Sequence, residues 1–318
     1  MIRHTRNSYG IKAGAEKFPL MVVISMSNVC NAKCPHCVYT NFPDFRAAYG
    51  DNRLMPPDLF KKIADECGQY GALIRISGTG EPFVHKEMVD LVEYAKGKGA
   101  KVGIITNGSL LDDNKIIRLI KAGVEAIEVS VDAMNAEAYA KIRVGLSFDE
   151  VQGNIERLVE TRNRLKGKTR VMVSVINQPN VNLDIEAAVA YWQKKVDHVI
   201  KRKWLRWGKL SDKNLTEPYL DPRRRVPCPF PFERFNVDTS GIVRFCGYDV
   251  EYGTNMGNVY ESSLEEIWKG EKFNEWRSYH LRGEFDRIDM CKDCTDWPYR
   301  SWNYNYWRAL RDAQKSFI

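Results

Sequence analysis

The sequence predicts an α/β fold in which a parallel sheet is covered by helices and followed by a smaller C-terminal domain. Short β-rich runs alternate with amphipathic helical stretches from about residue 20 to residue 207, and this alternation is typical of right-handed βαβ units. The chain has 318 residues, of which 44% are hydrophobic. That length can bury a full core and favours one large and one small domain.

Six strands are predicted in the first two thirds of the chain, each a short run rich in β-forming residues. Two helices illustrate the alternation: one at Pro57–Gln69, whose apolar residues recur at helical spacing, and one with Asp112 as N-cap and Gly123 as C-cap. The predicted strands are centred on Met21–Met26, Leu73–Ser77, Lys101–Thr106, Ala126–Val131, Arg170–Ile176 and Val196–Lys201.

Composition limits the function classes. The chain carries 48 Lys and Arg against 41 Asp and Glu, a formal charge of +7, which mildly favours an anionic partner such as a phosphorylated metabolite, a nucleotide or RNA. No apolar run approaches the roughly 18 residues of a membrane span, so no membrane partner is expected. The chain shows no secretory leader and its cysteines have metal-type spacing, which favours a cytoplasmic protein over a disulfide framework.

Three cysteines follow the first predicted strand: Cys30, Cys34 and Cys37. Thiolates are soft ligands that suit iron-sulfur clusters, and a cubane cluster has four irons to ligate. Three thiolates leave one iron open, and an open coordination position is where a small molecule can bind and react. A structural zinc site is the alternative, although such sites normally use four ligands in paired spacing.

The C-x3-C-x2-C spacing, with His36 just before the third cysteine, resembles the signature of the radical S-adenosylmethionine (SAM) superfamily. The resemblance implies a partial (β/α)6 barrel, a [4Fe-4S] cluster whose open iron binds SAM, and an electron donor such as flavodoxin or ferredoxin. It also implies that SAM cleavage yields a 5'-deoxyadenosyl radical, which abstracts hydrogen from a substrate.

Polar residues at the ends of later strands resemble the family's SAM-binding positions. The segment from Ser77 to Pro82 looks like the family's Gly-Gly-Glu-Pro segment, with Thr79-Gly80 where two glycines are usual. Ligands of parallel sheets lie at the carboxyl ends of the strands, although a glycine-rich turn and solvated polar residues are an ordinary alternative. The candidate SAM-binding residues are His36, Gly80, Glu81, Thr106, Asn107, Ser130, Asp132 and Arg143.

Four further cysteines, Cys228, Cys246, Cys291 and Cys294, lie in the last third of the chain. Four thiolates can fill a second cubane or hold a tetrahedral zinc ion. Their pattern and the segment 256–268 resemble the SPASM/twitch auxiliary-cluster domain. Because no cysteine follows Cys294, the resemblance is to the shorter twitch form with one auxiliary [4Fe-4S] cluster, similar to dehydrogenases of the 2-deoxy-scyllo-inosamine type.

The resemblance divides the chain into four parts. These are an N-terminal extension at 1–19, the radical SAM partial barrel at 20–210, a small α+β twitch/SPASM-like domain at 211–298 and an aromatic-rich tail at 299–318. The short N-terminal extension disfavours a peptide substrate, because peptide-modifying members usually carry a longer recognition module there.

Cys67 is the cysteine outside both sets. Radical SAM epimerases commonly return a hydrogen atom from a cysteine. However, Cys67 shares the apolar face of the 57–69 helix, which predicts a buried small hydrophobe.

The segment 201–209 is basic with interleaved tryptophans. Cations and aromatic faces together can hold nucleobases and phosphates. The pattern alone favours a solvated strand edge with snorkelling lysines, and against that account we predict that Arg206 and Lys209 contact an anionic or polyhydroxylated small molecule.

The leading function is oxidation of a small polar metabolite, such as a sugar, cyclitol or nucleotide-sugar, with the auxiliary cluster as electron acceptor. Epimerisation or carbon-carbon bond formation on a similar substrate is the first alternative. Modification of RNA or a peptide is less favoured. No residue can be named from the sequence as the catalytic base or hydrogen donor.

Overall fold

In the computed structural model, strands from both ends of the chain join one eight-stranded sheet. The structure describes residues 15–37, 40, 53–176, 178, 184–202, 225–247, 249, 253–292, 294, 296 and 297. Strands β1 to β6 are parallel and lie in the spatial order β6-β5-β4-β3-β2-β1, followed by β7 and β8. The strands are β1 (Met21–Ile24), β2 (Leu73–Ile76), β3 (Lys101–Thr106), β4 (Ala126–Ser130), β5 (Arg170–Ile176), β6 (His198–Arg202), β7 (Arg234–Val237) and β8 (Val243–Arg244).

All six predicted strands are present, so the predicted α/β class is confirmed. The bounds of β3 and β5 are as predicted, whereas β1 ends at Ile24 and not at Met26. The reason is that the chain after Ile24 leaves the sheet to pair with residues 54 and 55, through a bridge between Ser27 and Leu54.

Helices connect the parallel strands and cover one face of the sheet. The predicted caps of the third helix are confirmed: the Asp112 side chain accepts from the Lys115 N–H at 2.8 Å, and Gly123 is left-handed with φ 74°. Cys67 is fully buried, as predicted. The helices are α1 (Pro57–Tyr70), α2 (Met88–Gly97), α3 (Asp113–Ala122), α4 (Ala136–Ile142), α5 (Phe148–Arg164), α6 (Ile185–Gln193), α7 (Leu264–Lys269), α8 (Glu271–Arg282) and α9 (Asp289–Lys292).

The two faces of the sheet differ in what they pack against. Alternate strand residues such as Ile24, Ile74 and Val129 join the large core under the helices. The opposite face carries a small separate apolar cluster that contains Met21 and Met172. Because successive strand residues point to opposite faces, this second face is the interior of the partial barrel.

The C-terminal part of the chain contributes to the same sheet. Strand β7 pairs in parallel with β1, in a register that sets Met21 against Arg234 and Ile24 against Val237, and β8 pairs with β7 in antiparallel fashion. The sequence did not predict this pairing. Within the described residues, none of the helices combines the length and apolarity needed to cross a bilayer.

Candidate active site

The loop after β1, which carries the first three cysteines, is tied to the ends of neighbouring elements. The Thr79 hydroxyl donates to the Ser27 carbonyl at 3.1 Å, and the Glu81 N–H donates to the Val29 carbonyl at 2.9 Å. At Gly80 a Cβ atom would lie 2.4 Å from the Val29 oxygen, so only glycine fits. The segment with Thr79-Gly80 therefore holds the cysteine loop by backbone proximity and one hydroxyl.

Glu81 crosslinks β2 and β3 and is almost fully buried. Its carboxylate accepts from the Thr106 hydroxyl at 2.6 Å, from the Asn107 N–H at 2.8 Å and from the Phe83 N–H at 3.3 Å. Burial raises the pKa of Glu81 to about 7, although these three donors act in the opposite direction. The Glu81 carboxylate thus holds the ends of β2 and β3 together through hydrogen bonds.

Asn107 links β3 to the cysteine loop through its side chain. Its amide Nδ2 donates to Asn31 Oδ1 at 2.8 Å, Asn31 Nδ2 donates to the Ser109 hydroxyl at 2.8 Å, and Ser109 donates to Asn107 Oδ1 at 2.7 Å. These three bonds form a closed ring. The ring fixes the loop immediately after Cys30.

Arg143 lies against the same loop from the end of α4. Its Nη2 pairs with the Asp132 carboxylate, and its Nη1 lies 3.9 Å from Cys34 Sγ. Burial opposes the Arg143 charge, but Asp132 outweighs it and raises the pKa of the guanidinium. The Asp132 carboxylate also accepts from the Ile176 N–H at 2.8 Å and lies 3.6 Å from His36 Nε2. Burial, followed by Arg143, lowers the pKa of His36 to about 4, so the ring is neutral near pH 7.

The last four cysteines form a second group. Cys291 is buried, and burial together with the nearby Cys246, Cys228 and Cys294 raises the pKa of its thiol well above the ordinary value. Each of the three other cysteines thus lies close enough to Cys291 to affect the charge of its thiol. His280, which no sequence motif indicated, contacts this group.

Family comparisons agree with both groups. The model of the radical SAM superfamily matches residues 24–197, which is more than half of the chain. The chain belongs to the radical SAM superfamily. The model of SPASM, an iron-sulfur cluster-binding domain, matches residues 228–295 and so includes all four C-terminal cysteines. SAM and iron-sulfur clusters are therefore cofactors of this protein, as predicted.

Individual relatives are similar over most of the chain. A tungsten-containing aldehyde ferredoxin oxidoreductase cofactor-modifying protein from Pyrococcus furiosus is 32% identical over 319 residues, covering 86% of each chain. Among solved structures, BtrN in complex with AdoMet and 2-DOIA superposes with a TM-score of 0.59 at 18% identity, covering 87% of this chain and 93% of BtrN. SuiB from Streptococcus suis bound to the precursor peptide SuiA has a TM-score of 0.66 at 16% identity, covering 88% and 71%. The structural likenesses show the shared fold.

The donor chemistry of this radical SAM chain fits the two kinds of cluster. Burial raises the pKa of Cys30 to about 11, and burial also raises the pKa of Cys34 despite the opposing effect of Arg143. Such thiols ionise readily only when a metal binds them. Cys30, Cys34 and Cys37 would hold the SAM-binding cluster, and the four C-terminal cysteines would hold an auxiliary one. The described side chains contain no group of His, Cys, Asp or Glu that could hold a single metal ion.

A polar layer lines the interior of the barrel just beyond its apolar cluster. Glu128 on β4 is fully buried, pairs with Arg202 on β6 and interacts with Arg75 on β2. Burial disfavours its charge, but the two arginines prevail and lower the pKa of Glu128. These residues were missed, although a charge inside a strand of a parallel sheet is itself a signal because such strands are normally apolar on both faces.

The structure brings together most of the predicted site residues. Thr106 and Asn107 both donate hydrogen bonds to Glu81, and Asp132, Arg143 and His36 form a second set beside Cys34. Ser130 lies at the end of β4, where Ser174 Oγ is 3.4 Å away. Their roles as SAM ligands stay predictions, as do the domain boundaries. Arg206, Lys209 and the tail 299–318 lie outside the described residues.

Proposed function

We propose that this radical SAM enzyme is an oxidoreductase that removes two hydrogens from a small polar or anionic metabolite. The cluster that Cys30, Cys34 and Cys37 would hold, together with SAM, would supply the 5'-deoxyadenosyl radical chemistry, and the auxiliary cluster that the four C-terminal cysteines would hold would supply an acceptor for the second electron. An electron donor such as flavodoxin or ferredoxin would reduce the first cluster. The observation that carries the proposal is a charged layer inside a barrel whose cysteine loop lies at its carboxyl end.

The interior positions explain why a polar substrate suits this barrel. Three charged residues follow the apolar cluster on the same face of the sheet: Arg75, Glu128 and Arg202 each lie two residues after Leu73, Ala126 and Ile200, respectively. The charged residues are therefore closer to the carboxyl ends of the strands, where the cysteine loop begins. Glu128 Oε2 is buried and makes no hydrogen bond to the described residues. A substrate hydroxyl or ammonium group would satisfy this oxygen.

Arg143, Asp132 and Glu81 would hold the cysteine loop and the strand ends in place and would not take part in the reaction. Arg143 and Asp132 hold the loop near Cys34, and Glu81 fixes the two strand ends beside it. A rigid loop matters because a radical reaction requires the abstracting and donating atoms to be held close together.

The test is anaerobic turnover of the reconstituted enzyme with SAM, dithionite and fractionated metabolite pools. We expect 5'-deoxyadenosine to accumulate with one fraction and its product to be lighter than the substrate by two hydrogens. A product of unchanged mass would support epimerisation and overturn the oxidoreductase proposal. Cys30→Ser should abolish 5'-deoxyadenosine formation.

Glu128→Gln tests the interior layer. We expect KM for the substrate to rise about 10-fold or more, which corresponds to the roughly 1.5–3 kcal/mol that a hydrogen bond to a charged group contributes, with uncoupled SAM cleavage unchanged. Glu125→Gln is the matched control, because Glu125 precedes β4 and bonds to Lys96 and the Val102 N–H. Equal KM values for both variants would contradict a substrate role for Glu128.

A second candidate function is modification of a cofactor that belongs to another enzyme. The Pyrococcus furiosus relative favours it, because its name describes such a role and the similarity covers 86% of each chain. Turnover with a cofactor extracted from a partner metalloenzyme, and none with the metabolite fractions, would select this candidate.

A further inference from the structure

His280 is buried between two of the four C-terminal cysteines. It lies in the last turn of α8 and is 1% exposed. Its Nδ1 accepts from the backbone N–H of Cys228 at 3.3 Å, and its Nε2 lies 3.5 Å from Cys291 Sγ. One imidazole ring thus contacts cysteines that are 63 residues apart in the chain, since 291 − 228 = 63.

The bond at Nδ1 determines the direction of the bond at Nε2. A ring nitrogen that accepts from a backbone N–H carries no proton, so the proton of the neutral ring is on Nε2. The Nε2–H then donates to Cys291 Sγ, and the sulfur must accept. A thiolate that ligates a metal is an acceptor, whereas a free thiol is a weak donor.

The surroundings hold the ring in this orientation. Phe285 packs edge-on against it with ring centroids 5.3 Å apart, and the ring of Phe245, the residue after β8, lies 6.0 Å away. Gly283 ends α8 in a left-handed conformation, with its N–H bonded to the His280 carbonyl at 3.2 Å. The ring is therefore fixed by packing as well as by its two hydrogen bonds.

The guanidinium of Arg225 also contacts Cys291, at its backbone carbonyl. The Arg225 Nη2 donates to the Cys291 carbonyl at 2.7 Å, and its guanidinium stacks on Phe285 at 4.1 Å. Arg225 and His280 thus approach the same cysteine from its carbonyl and from its sulfur.

We propose that His280 is a positioning residue that donates an Nε2–H hydrogen bond to the Cys291 thiolate and thereby raises the reduction potential of the auxiliary cluster. The proposal rests on the proposed ligand set of Cys228, Cys246, Cys291 and Cys294. Hydrogen bonds to cluster sulfurs stabilise the reduced, more negative state. A higher potential makes the cluster a better electron acceptor, which is the role that substrate oxidation requires.

The experiment compares His280→Leu and His280→Gln in the full chain, with Cys30, Cys34 and Cys37 replaced by Ala so that only the auxiliary cluster is observed. Gln can accept from Cys228 N–H and donate to Cys291 Sγ, whereas Leu can do neither. We expect equal iron content, a lower midpoint potential for the Leu variant in an EPR-monitored titration, and a potential near that of His280 for the Gln variant.

The matched control is His85→Leu. His85 is also buried and bonded through both ring nitrogens to backbone groups, with Nε2 2.9 Å from the Met55 carbonyl and Nδ1 accepting from Glu87 N–H. It lies in the barrel part of the chain, and we expect its loss to leave the auxiliary potential unchanged. A shift as large as that of His280→Leu would overturn the proposal.

Other outcomes also decide. A loaded His280→Leu variant with an unchanged potential overturns this proposal alone, while product mass still decides the oxidoreductase proposal separately. Iron loss from the Leu variant with retention in the Gln variant supports the proposed role of His280. Equal iron loss in both variants overturns the proposed role of His280, because the packing of its ring, and not its hydrogen bond, would then be what retains the iron. A triple-Ala protein with His280 intact that binds no cluster overturns the ligand set and this proposal together.

Discussion

Glu81 shows at the scale of one residue how the site balances charge against burial. The carboxylate accepts three hydrogen bonds, two of them from the strand-end residues Thr106 and Asn107. Even so, burial dominates and raises its pKa from 4.5 to about 7. The protonation of Glu81 is therefore linked to folding.

The sign of this linkage gives a prediction. A raised pKa in the folded state means that stability is complete below pH 4.5 and is lost as the pH rises through about 7. The total loss is roughly 3 kcal/mol, since each pKa unit corresponds to about 1.4 kcal/mol. Urea unfolding of the cluster-free protein between pH 5 and pH 8 should show this decline, and Glu81→Gln should flatten it.

Thr106→Val is the companion variant for Glu81. It removes the hydroxyl donor 2.6 Å from Glu81 Oε1 while conserving side-chain volume. The decline in the free energy of unfolding should then extend to higher pH, because Glu81 has lost one of the donors that stabilise its carboxylate. Identical pH profiles for the wild type and Glu81→Gln would contradict the linkage.

At the scale of elements, helix α1 connects the barrel to the C-terminal region. Glu66 accepts from the Leu264 N–H at 2.9 Å and from the Glu265 N–H at 3.4 Å, at the start of α7. Four residues earlier, Lys62 donates to the carbonyls of Val259 and Ser262. Positions i and i+4 share one helix face, so one face of α1 carries both bonds.

Glu66→Ala should weaken this docking. Removing a charged acceptor from backbone N–H groups costs about 1.5–3 kcal/mol. We expect faster hydrogen exchange at residues 264–269 and a lower free energy of unfolding. Glu93→Ala on α2 is the control, because its partly exposed pair with Arg118 is screened by solvent and contributes little to stability. Unchanged exchange at 264–269 would show that Glu66 does not hold α7.

At the scale of the whole molecule, the two cysteine-bearing regions are joined through one sheet edge. Strand β7 pairs with the edge of β1, the strand that leads into the cysteine loop. In addition, Asn28 Nδ2 of that loop donates to the Thr239 hydroxyl at 2.7 Å. The geometry of the cysteine loop thus depends on the C-terminal region.

A fragment that ends at residue 210 should therefore aggregate. It leaves β1 with an unpaired edge from Met21 to Ile24, and open strand edges promote association. Size-exclusion chromatography of the fragment and of the full chain measures this. The control is the full chain with Cys291→Ala and Cys294→Ala, which disrupts the auxiliary thiols but retains β7. A monomeric fragment would contradict the prediction.

The sequence by itself determined the local features. Caps such as Asp112 and Gly123, the β-forming runs and the spacing of Cys30, Cys34 and Cys37 act within a few residues, so they can be identified without a fold. The family resemblance extended this to the strand-end positions, and the superfamily, the α/β class and the cofactors were confirmed.

Only the tertiary structure decided which distant residues meet. The pairing of β7 with β1, the contact of Arg202 with Glu128 and the place of His280 between Cys228 and Cys291 depend on register and packing across the chain. The physical reason is that hydrogen bonds and charge pairs act over a few ångströms in space, whatever the sequence separation. A pattern of single residues indicates that a partner is needed, and the fold selects it.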